Sequence, residues 1–229
     1  MKTIGLIGGM TWDSTAIYYD LINREVQKRL GGLHSAKIAM ISFDFAGPEE
    51  MARTSNWEAL AALLTDAGRK LQSAGAELLV VCANTAHRVA DRVERAVALP
   101  LVHVCDCTAA SIKAAGLTRV SLLGTAYTMQ EDFFKDRLRA GGLDVFVPDE
   151  ADRAIIHRAI NGVWLSGNAE PASRQACREV IARQIANGAE GVILGCTELP
   201  VLVKAEDSSV PLFDTTQIHA LAAVEMAMA

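Results

Sequence analysis

Two periodicities alternate along this chain. Short apolar runs at 3–7, 36–43, 77–81 and 100–105 end in glycine or polar residues and read as buried strands. Between them the apolar positions fall at helical spacing: Tyr18, Leu21, Ile22, Val26 and Leu30, then Trp57, Leu60, Leu64, Ala67, Leu71 and Ala74, then Val89, Val93 and Val97. Side chains three and four apart share one face of a helix, so each set predicts an amphipathic helix with one buried stripe. Thr11, Asp13 and Ser14 offer capping oxygens to the first helix, and Gly31-Gly32 and Gly75 are stop signals.

From residue 119 the pattern begins again. Strands are predicted at 119–123, 143–147, 191–194 and 210–213. Helices are predicted at 129–140, along Ile155, Ile156, Ala159, Ile160 and Val163, along Ala176, Val180, Ile181 and Ile185, and along Ile218, Leu221, Ala222 and Met228. Strict strand–helix alternation predicts an α/β fold with parallel sheets. The restart reads as an internal repeat. Gly8 answers Gly124 at an offset of 116, Cys82 answers Cys196 at 114, and Asp106 answers Asp214 at 108. The expected architecture is two similar Rossmann-like halves facing each other, with an active cleft between them. Residues 1–100 with 211–229 would form the first half and 101–210 the second.

The repeat directs attention to two strand ends, Cys82-Ala83-Asn84-Thr85 and Gly195-Cys196-Thr197-Glu198. In open parallel sheets, ligands bind beyond the carboxyl ends of the strands. A cysteine there is either a small buried apolar group or a reactive thiol. Thiols on two sides of a cleft suit proton transfer at carbon: one removes the proton and the other returns it on the opposite face. Helix N-termini following each strand would lower the thiol pKa. Their N–H groups, with Asn84, Thr85 and Thr197, could hold a substrate carboxylate and the charge that develops on it. Glu198 would serve the Cys196 thiol or a substrate ammonium, or act as a helix-start carboxylate.

Composition narrows the classes. The 229 residues carry a net charge of −5, with no basic run to recruit nucleic acid or a membrane surface. No apolar stretch reaches spanning length and the N-terminus enters a strand directly. Five scattered cysteines fit reduced thiols in the cytoplasm, and Cys105-Asp106-Cys107 lacks the second pair of a zinc site. The glycine-rich stretch Gly5-Leu6-Ile7-Gly8-Gly9-Met10 lacks the third glycine of a dinucleotide fingerprint and the Gly-Lys-Ser/Thr of a phosphate loop, so no cofactor is expected.

Across nearly its whole length the sequence resembles the aspartate/glutamate racemase superfamily. The resemblance is carried by Ile4-Gly5-Leu6-Ile7-Gly8-Gly9-Met10-Thr11-Trp12, Gly31-Gly32-Leu33-His34-Ser35, Asn84-Thr85-Ala86-His87, Gly124-Thr125-Ala126-Tyr127-Thr128-Met129 and Gly195-Cys196-Thr197-Glu198. It implies two α/β halves related by a pseudo-twofold, a homodimer, and cofactor-independent racemisation of a small amino acid, of the aspartate or glutamate type, by a pair of cysteines. It marks Cys196 as catalytic and Met10, Asn84, Thr85, Thr125, Thr128, Thr197 and Glu198 as substrate-binding. It leaves Cys82 and Ala83 as alternatives for the second catalytic position, because the family's first cysteine stands immediately before Asn-Thr and Ala83 stands there in this chain. Aspartate-specific relatives place a lysine in the segment matching 160–164, where this chain has Gly162. Arg53, His157 and Arg158 are then candidate partners for a substrate side chain. A one-thiol decarboxylase or isomerase, and a non-catalytic amino-acid-binding relative, are the alternative functions.

Overall fold

The structure, a computed structural model, describes residues 1–229 apart from the side chains of 165 and 166. It divides into two compact units, Met1–Val104 with His219–Ala229, and Cys105–Ile218.

The first unit carries β1 (Ile4–Gly8), α1 (Trp12–Leu30), β2 (Ile38–Ser42), α2 (Ala46–Arg53), α3 (Trp57–Ser73), β3 (Leu78–Val81), a 3₁₀ turn (Thr85–Val89), α4 (Ala90–Ala96) and β4 (Leu101–Val102). The chain leaves it at the start of α5 (Val104–Ala114). The four strands are parallel in the order β2-β1-β3-β4. β1 and β3 are buried along their whole length, which is why they read as unbroken apolar runs rather than alternating ones. One stripe of α3, with Leu60, Leu64, Ala67 and Leu71, joins Ile7, Leu79 and Val81 in a single core cluster. Thr11 caps α1 by accepting from the Ser14 N–H, and Asn56 caps α3 by accepting from the Ala59 N–H.

The second unit repeats the plan. It holds β5 (Arg119–Gly124), α6 (Ala126–Gln130), α7 (Asp132–Ala140), β6 (Asp144–Phe146), α8 (Glu150–Ser166), α9 (Pro171–Ala186), β7 (Gly191–Gly195), α10 (Leu199–Leu202), a 3₁₀ turn (Ala205–Asp207), β8 (Leu212–Asp214) and the start of α11 (Thr215–Met228). Its sheet is again parallel, in the order β6-β5-β7-β8. Both sheets therefore have the same strand order, and the α/β architecture with two similar halves stands as expected.

Several expectations are corrected. β4 pairs with β3 and β8 with β7, so each fourth strand stays with the half that precedes it, and the expected divisions at 100/101 and 210/211 move to 104/105 and 218/219. The strand expected at 100–105 is only two residues long, because α5 begins at Val104. That helix was not foreseen. Its buried positions, Val104, Cys105, Thr108, Ala109 and Ile112, have helical spacing but are mostly small residues. α2 was also missed, since among its side chains only Pro48 is buried. The helix expected at 129–140 is two helices, broken where Glu131 adopts an extended conformation.

Pairing registers fix the repeat residue by residue. Ile7 lies opposite Val81 across β1 and β3, and Leu123 lies opposite Leu194 across β5 and β7. With Ile7 matched to Leu123, an offset of 116, Val81 falls on Leu194, an offset of 113. Continuing to the fourth strands, Val80 opposes Val102 and Ile193 opposes Phe213, an offset of 111. The residue equivalent to Asp214 is thus His103, and the Asp106–Asp214 echo is displaced by three positions.

Candidate active site

Cys196 follows β7 immediately. The strand is five residues, all buried, and it ends beside β5, with Gly195 opposite Gly124. Gly195 is sterically required, since a Cβ there would lie 2.7 Å from the Leu123 carbonyl oxygen, and a Cβ on Gly124 would press on Thr128 Cβ at 3.0 Å. The Cys196 side chain is 7 % exposed and packs in one cluster with Val192 and Leu194. Its Sγ donates to Glu198 Oε2 at 2.8 Å, and Thr197 Oγ1 donates to the same oxygen at 2.9 Å. Glu198 is itself 6 % exposed and makes no side-chain capping bond. Of the alternatives for this carboxylate, the geometry therefore favours partnership with the thiol over helix capping.

The electrostatics at Cys196 run against expectation. Burial pushes its thiol well above the usual cysteine value, and the Glu198 charge, together with its acceptance of the S–H, adds to the rise. The Thr197 and Glu198 N–H groups act in the opposite sense but are outweighed. The helix that follows, α10, is only four residues long, too short for the macrodipole that was expected to favour a thiolate. Resting Cys196 is a protonated thiol whose hydrogen is already directed at a carboxylate.

In the first half the register matches Cys82 with Gly195 and Ala83 with Cys196. The cores agree: Leu79, Val81 and Ala83 belong to one cluster, as Val192, Leu194 and Cys196 do in the other half. Successive strand side chains point to opposite faces, so Cys82 lies on the other side of the sheet. It is fully buried, its N–H bonds the Ile7 carbonyl at 2.9 Å, and burial alone raises its thiol pKa. This is the environment of a core residue. The sequence repeat alone could not separate the two alternatives, because offsets of 113 and 114 served equally well.

The remaining candidates divide. Asn84 is buried and Thr85 half-buried in the loop that begins at Ala83. Thr197 is half-buried beside Cys196. Thr125 caps α6: its Oγ1 accepts from the Thr128 N–H and lies 3.1 Å from Thr128 Oγ1. Thr128 has no exposed surface, so it supports that turn from behind. Met10 packs into the first unit's core cluster. Arg53 is exposed and paired with Glu50, and Arg158 is exposed. His157 Nδ1 accepts the Ala126 N–H at 3.4 Å, next to Thr125, and Nε2 faces Asn161 Nδ2 at 3.3 Å. Partial burial lowers the His157 pKa, so its ring is neutral at pH 7. A side chain at Gly162 would meet open space.

Sequence reasoning gave no role to His87, His103, His219 or Tyr18, which assemble in the first unit around the Ala83 loop. They are far apart in the chain, so no local motif could reveal the group. Among the described residues, no cluster of three or more His, Cys, Asp or Glu side chains is placed to hold a metal ion.

A profile of the Asp/Glu/hydantoin racemase family matches residues 7–223. The chain is 23 % identical to the broad specificity amino-acid racemase RacX of Bacillus subtilis, over 99 % of this chain and 98 % of that one. Among solved structures, a candidate Asp/Glu racemase from Yersinia pestis is 48 % identical, with a TM-score of 0.95 and full coverage of both chains. An aspartate racemase homologue from Pyrococcus horikoshii is 36 % identical, with a TM-score of 0.88 and again full coverage of both.

Proposed function

Because this chain belongs to the Asp/Glu/hydantoin racemase family, we propose that it is an amino-acid racemase, an isomerase that moves the Cα proton through Cys196 without a cofactor. The observation that carries the mechanism is the Cys196–Glu198 contact at the end of β7. In this reading the substrate's ammonium, entering beside Cys196, stabilises the thiolate, and Glu198 takes the thiol proton: the S–H bond breaks as an O–H bond forms. The thiolate then removes the Cα proton: the C–H bond breaks, an S–H bond forms, and the electron pair spreads into the substrate carboxylate. Backbone N–H groups and the Asn84, Thr85 and Thr197 side chains stabilise that charge. Water delivers a proton to the opposite face, where Ala83 has none to give, and the new Cα–H bond completes inversion; Cys196 keeps the abstracted proton, and the hydroxide left by that water takes back the proton that Glu198 had accepted. Substrates of the aspartate and glutamate type are the first choice, in keeping with the names of the relatives.

A second reading draws on Ala83. The position equivalent to Cys196 carries a methyl group with no exchangeable proton, which favours a one-thiol enzyme of the same superfamily, a decarboxylase or isomerase acting on one face. Deuterium uptake at Cα in heavy water, over D- and L-amino acids, tests both. Uptake with inversion is expected for the racemase, and uptake by one enantiomer without inversion would support the one-thiol reading. No uptake, with measurable binding, would leave a binding protein and overturn both.

The same proposal takes the chain as a homodimer in the cytoplasm. Five cysteines, with no disulfide among the described residues, suit a reducing compartment. Trp12 and Tyr19 on α1, Leu33 in the following loop and Met40 on the edge strand β2 are exposed apolar side chains of the first unit, suited to a covering partner. Sedimentation at a single monomer mass across micromolar concentrations would remove the dimer. No helix among the described residues is long and apolar enough to cross a membrane.

A further inference from the structure

Three of the chain's five histidines meet in the first unit, and the proposed chemistry uses none of them. His87, His103 and His219 are 4 %, 6 % and 0 % exposed. The ring of His87 stands edge-on to the other two, with centroids 4.8 Å from His103 and 5.3 Å from His219. The hydrogen bonds fix the tautomers of His87 and His219. His219 Nε2 donates to the Val102 carbonyl at 2.7 Å, so its Nδ1 accepts the Tyr18 hydroxyl at 2.8 Å. His87 Nδ1 lies 2.9 Å from the Ala83 carbonyl, which can only accept, so Nδ1 carries the proton and Nε2 accepts the Val104 N–H at 3.4 Å.

The Ala83 carbonyl is the informative end. Its equivalent in the second half, the Cys196 carbonyl, accepts the Leu199 N–H at 3.1 Å, a bond supplied by the backbone of its own turn. In the first half the same carbonyl takes its hydrogen bond from a side chain. At the repeat's offset of 113 the residue matching His87 is Pro200, whose ring nitrogen carries no hydrogen to donate. The imidazole brace is therefore peculiar to the half that lacks the catalytic thiol.

We infer that His87 is a positioning residue: its Nδ1–H holds the Ala83 carbonyl and thereby sets Asn84 and Thr85 in the geometry that the substrate carboxylate meets. The consequence for turnover rests on the racemase reading, whereas the consequence for the loop does not. Two variants separate the brace from ordinary core packing. His87→Asn places an amide N–H where Nδ1 stood, keeping the bond to Ala83 while losing the reach to Val104. His87→Gln places an amide oxygen near the position of Nε2, keeping the acceptor for Val104 and losing the bond to Ala83.

Both variants should lower the melting temperature, since both disturb the ring cluster. Amide hydrogen exchange at 84–86 should quicken by about tenfold, the scale of one lost hydrogen bond, in the glutamine variant only. With L-aspartate and L-glutamate as probes in heavy water, KM should rise by a similar factor in that variant, while the asparagine variant stays near wild type. Equal exchange rates and equal KM values in the two variants would overturn the inference. If the wild type turns over neither probe while exchange separates the variants, the brace stands and the racemase reading is what fails.

Discussion

At the residue scale the site rests on one thiol. Cys196→Ser keeps the shape of the side chain, but its hydroxyl is too weak an acid to be ionised beside a carboxylate. Turnover should fall below detection while the far-UV circular dichroism and melting temperature stay close to wild type. Retained activity would remove Cys196 from the mechanism. Ala83 makes a second test. Positioned acid–base groups are worth about 10²–10⁴-fold, so Ala83→Cys should raise the inversion rate towards the exchange rate, and Cys82→Ala should leave both nearly unchanged. Chiral analysis of product beside mass-spectrometric deuterium counts reads the two rates. A loss in Cys82→Ala as deep as that in Cys196→Ser would restore Cys82 to the site. Cys196, Asn84 and Glu198 stand out in the sequence because each sits in a short motif at a strand end. The choice between Cys82 and Ala83 was not, because a one-residue slip changes a sequence offset slightly but turns a strand side chain to the other face.

At the scale of elements, the site depends on how closely β5 and β7 approach at their ends. Gly195→Ala would drive a Cβ to 2.7 Å from a backbone oxygen of β5, and that oxygen cannot swing aside as a side chain could. Overpacking of this kind costs about 1–3 kcal/mol, so the midpoint of urea unfolding should fall, and kcat should fall with it because the shift occurs one residue before the thiol. A variant with unchanged midpoint and unchanged kcat would show that the strand ends are not tightly coupled. Long stripes such as Leu60, Leu64, Ala67 and Leu71 announced their helices. α5 escaped notice because between Val104 and Ile112 its buried face is built from Cys105, Thr108 and Ala109, which carry little hydrophobic contrast, and β4 was overextended because Val104 and Cys105 continue its apolar run.

At the scale of the whole molecule, the buried imidazoles tie stability to pH. Burial lowers the His219 pKa from 6.5 to about 4. Between those values the unfolded chain binds a proton that the folded chain refuses, so stability declines as pH falls from about 6.5 to about 4 and is unaffected by this group above that window. The shift corresponds to about 3 kcal/mol at the acid end. Urea midpoints across this range should fall less steeply in His219→Gln than in wild type, and identical slopes would exclude the group. The doubling of the fold was legible from restarted strand–glycine units, but the points at which the halves divide were not, since sheet membership is set by hydrogen-bond pairing that no offset records.

The hydrogen bond from Cys196 to Glu198 has a further consequence for the protein as a chemical object. Electrophiles and peroxide react with thiolates rather than thiols, and burial raises the pKa of Cys107 and Cys177 to about 11 and that of Cys82 and Cys196 upward as well. The thiols of Cys82, Cys107, Cys177 and Cys196 should therefore pass through oxidising or alkylating conditions largely unmarked, although the proposed chemistry depends on one of them. Iodoacetamide should label Cys196 slowly at pH 7, faster as pH rises, and faster still in Glu198→Gln, where the neighbouring negative charge is gone. Peptide mapping that found rapid labelling of wild-type Cys196 at neutral pH would contradict this. An enzyme that ionises its thiol only when a substrate arrives keeps its nucleophile out of circulation the rest of the time.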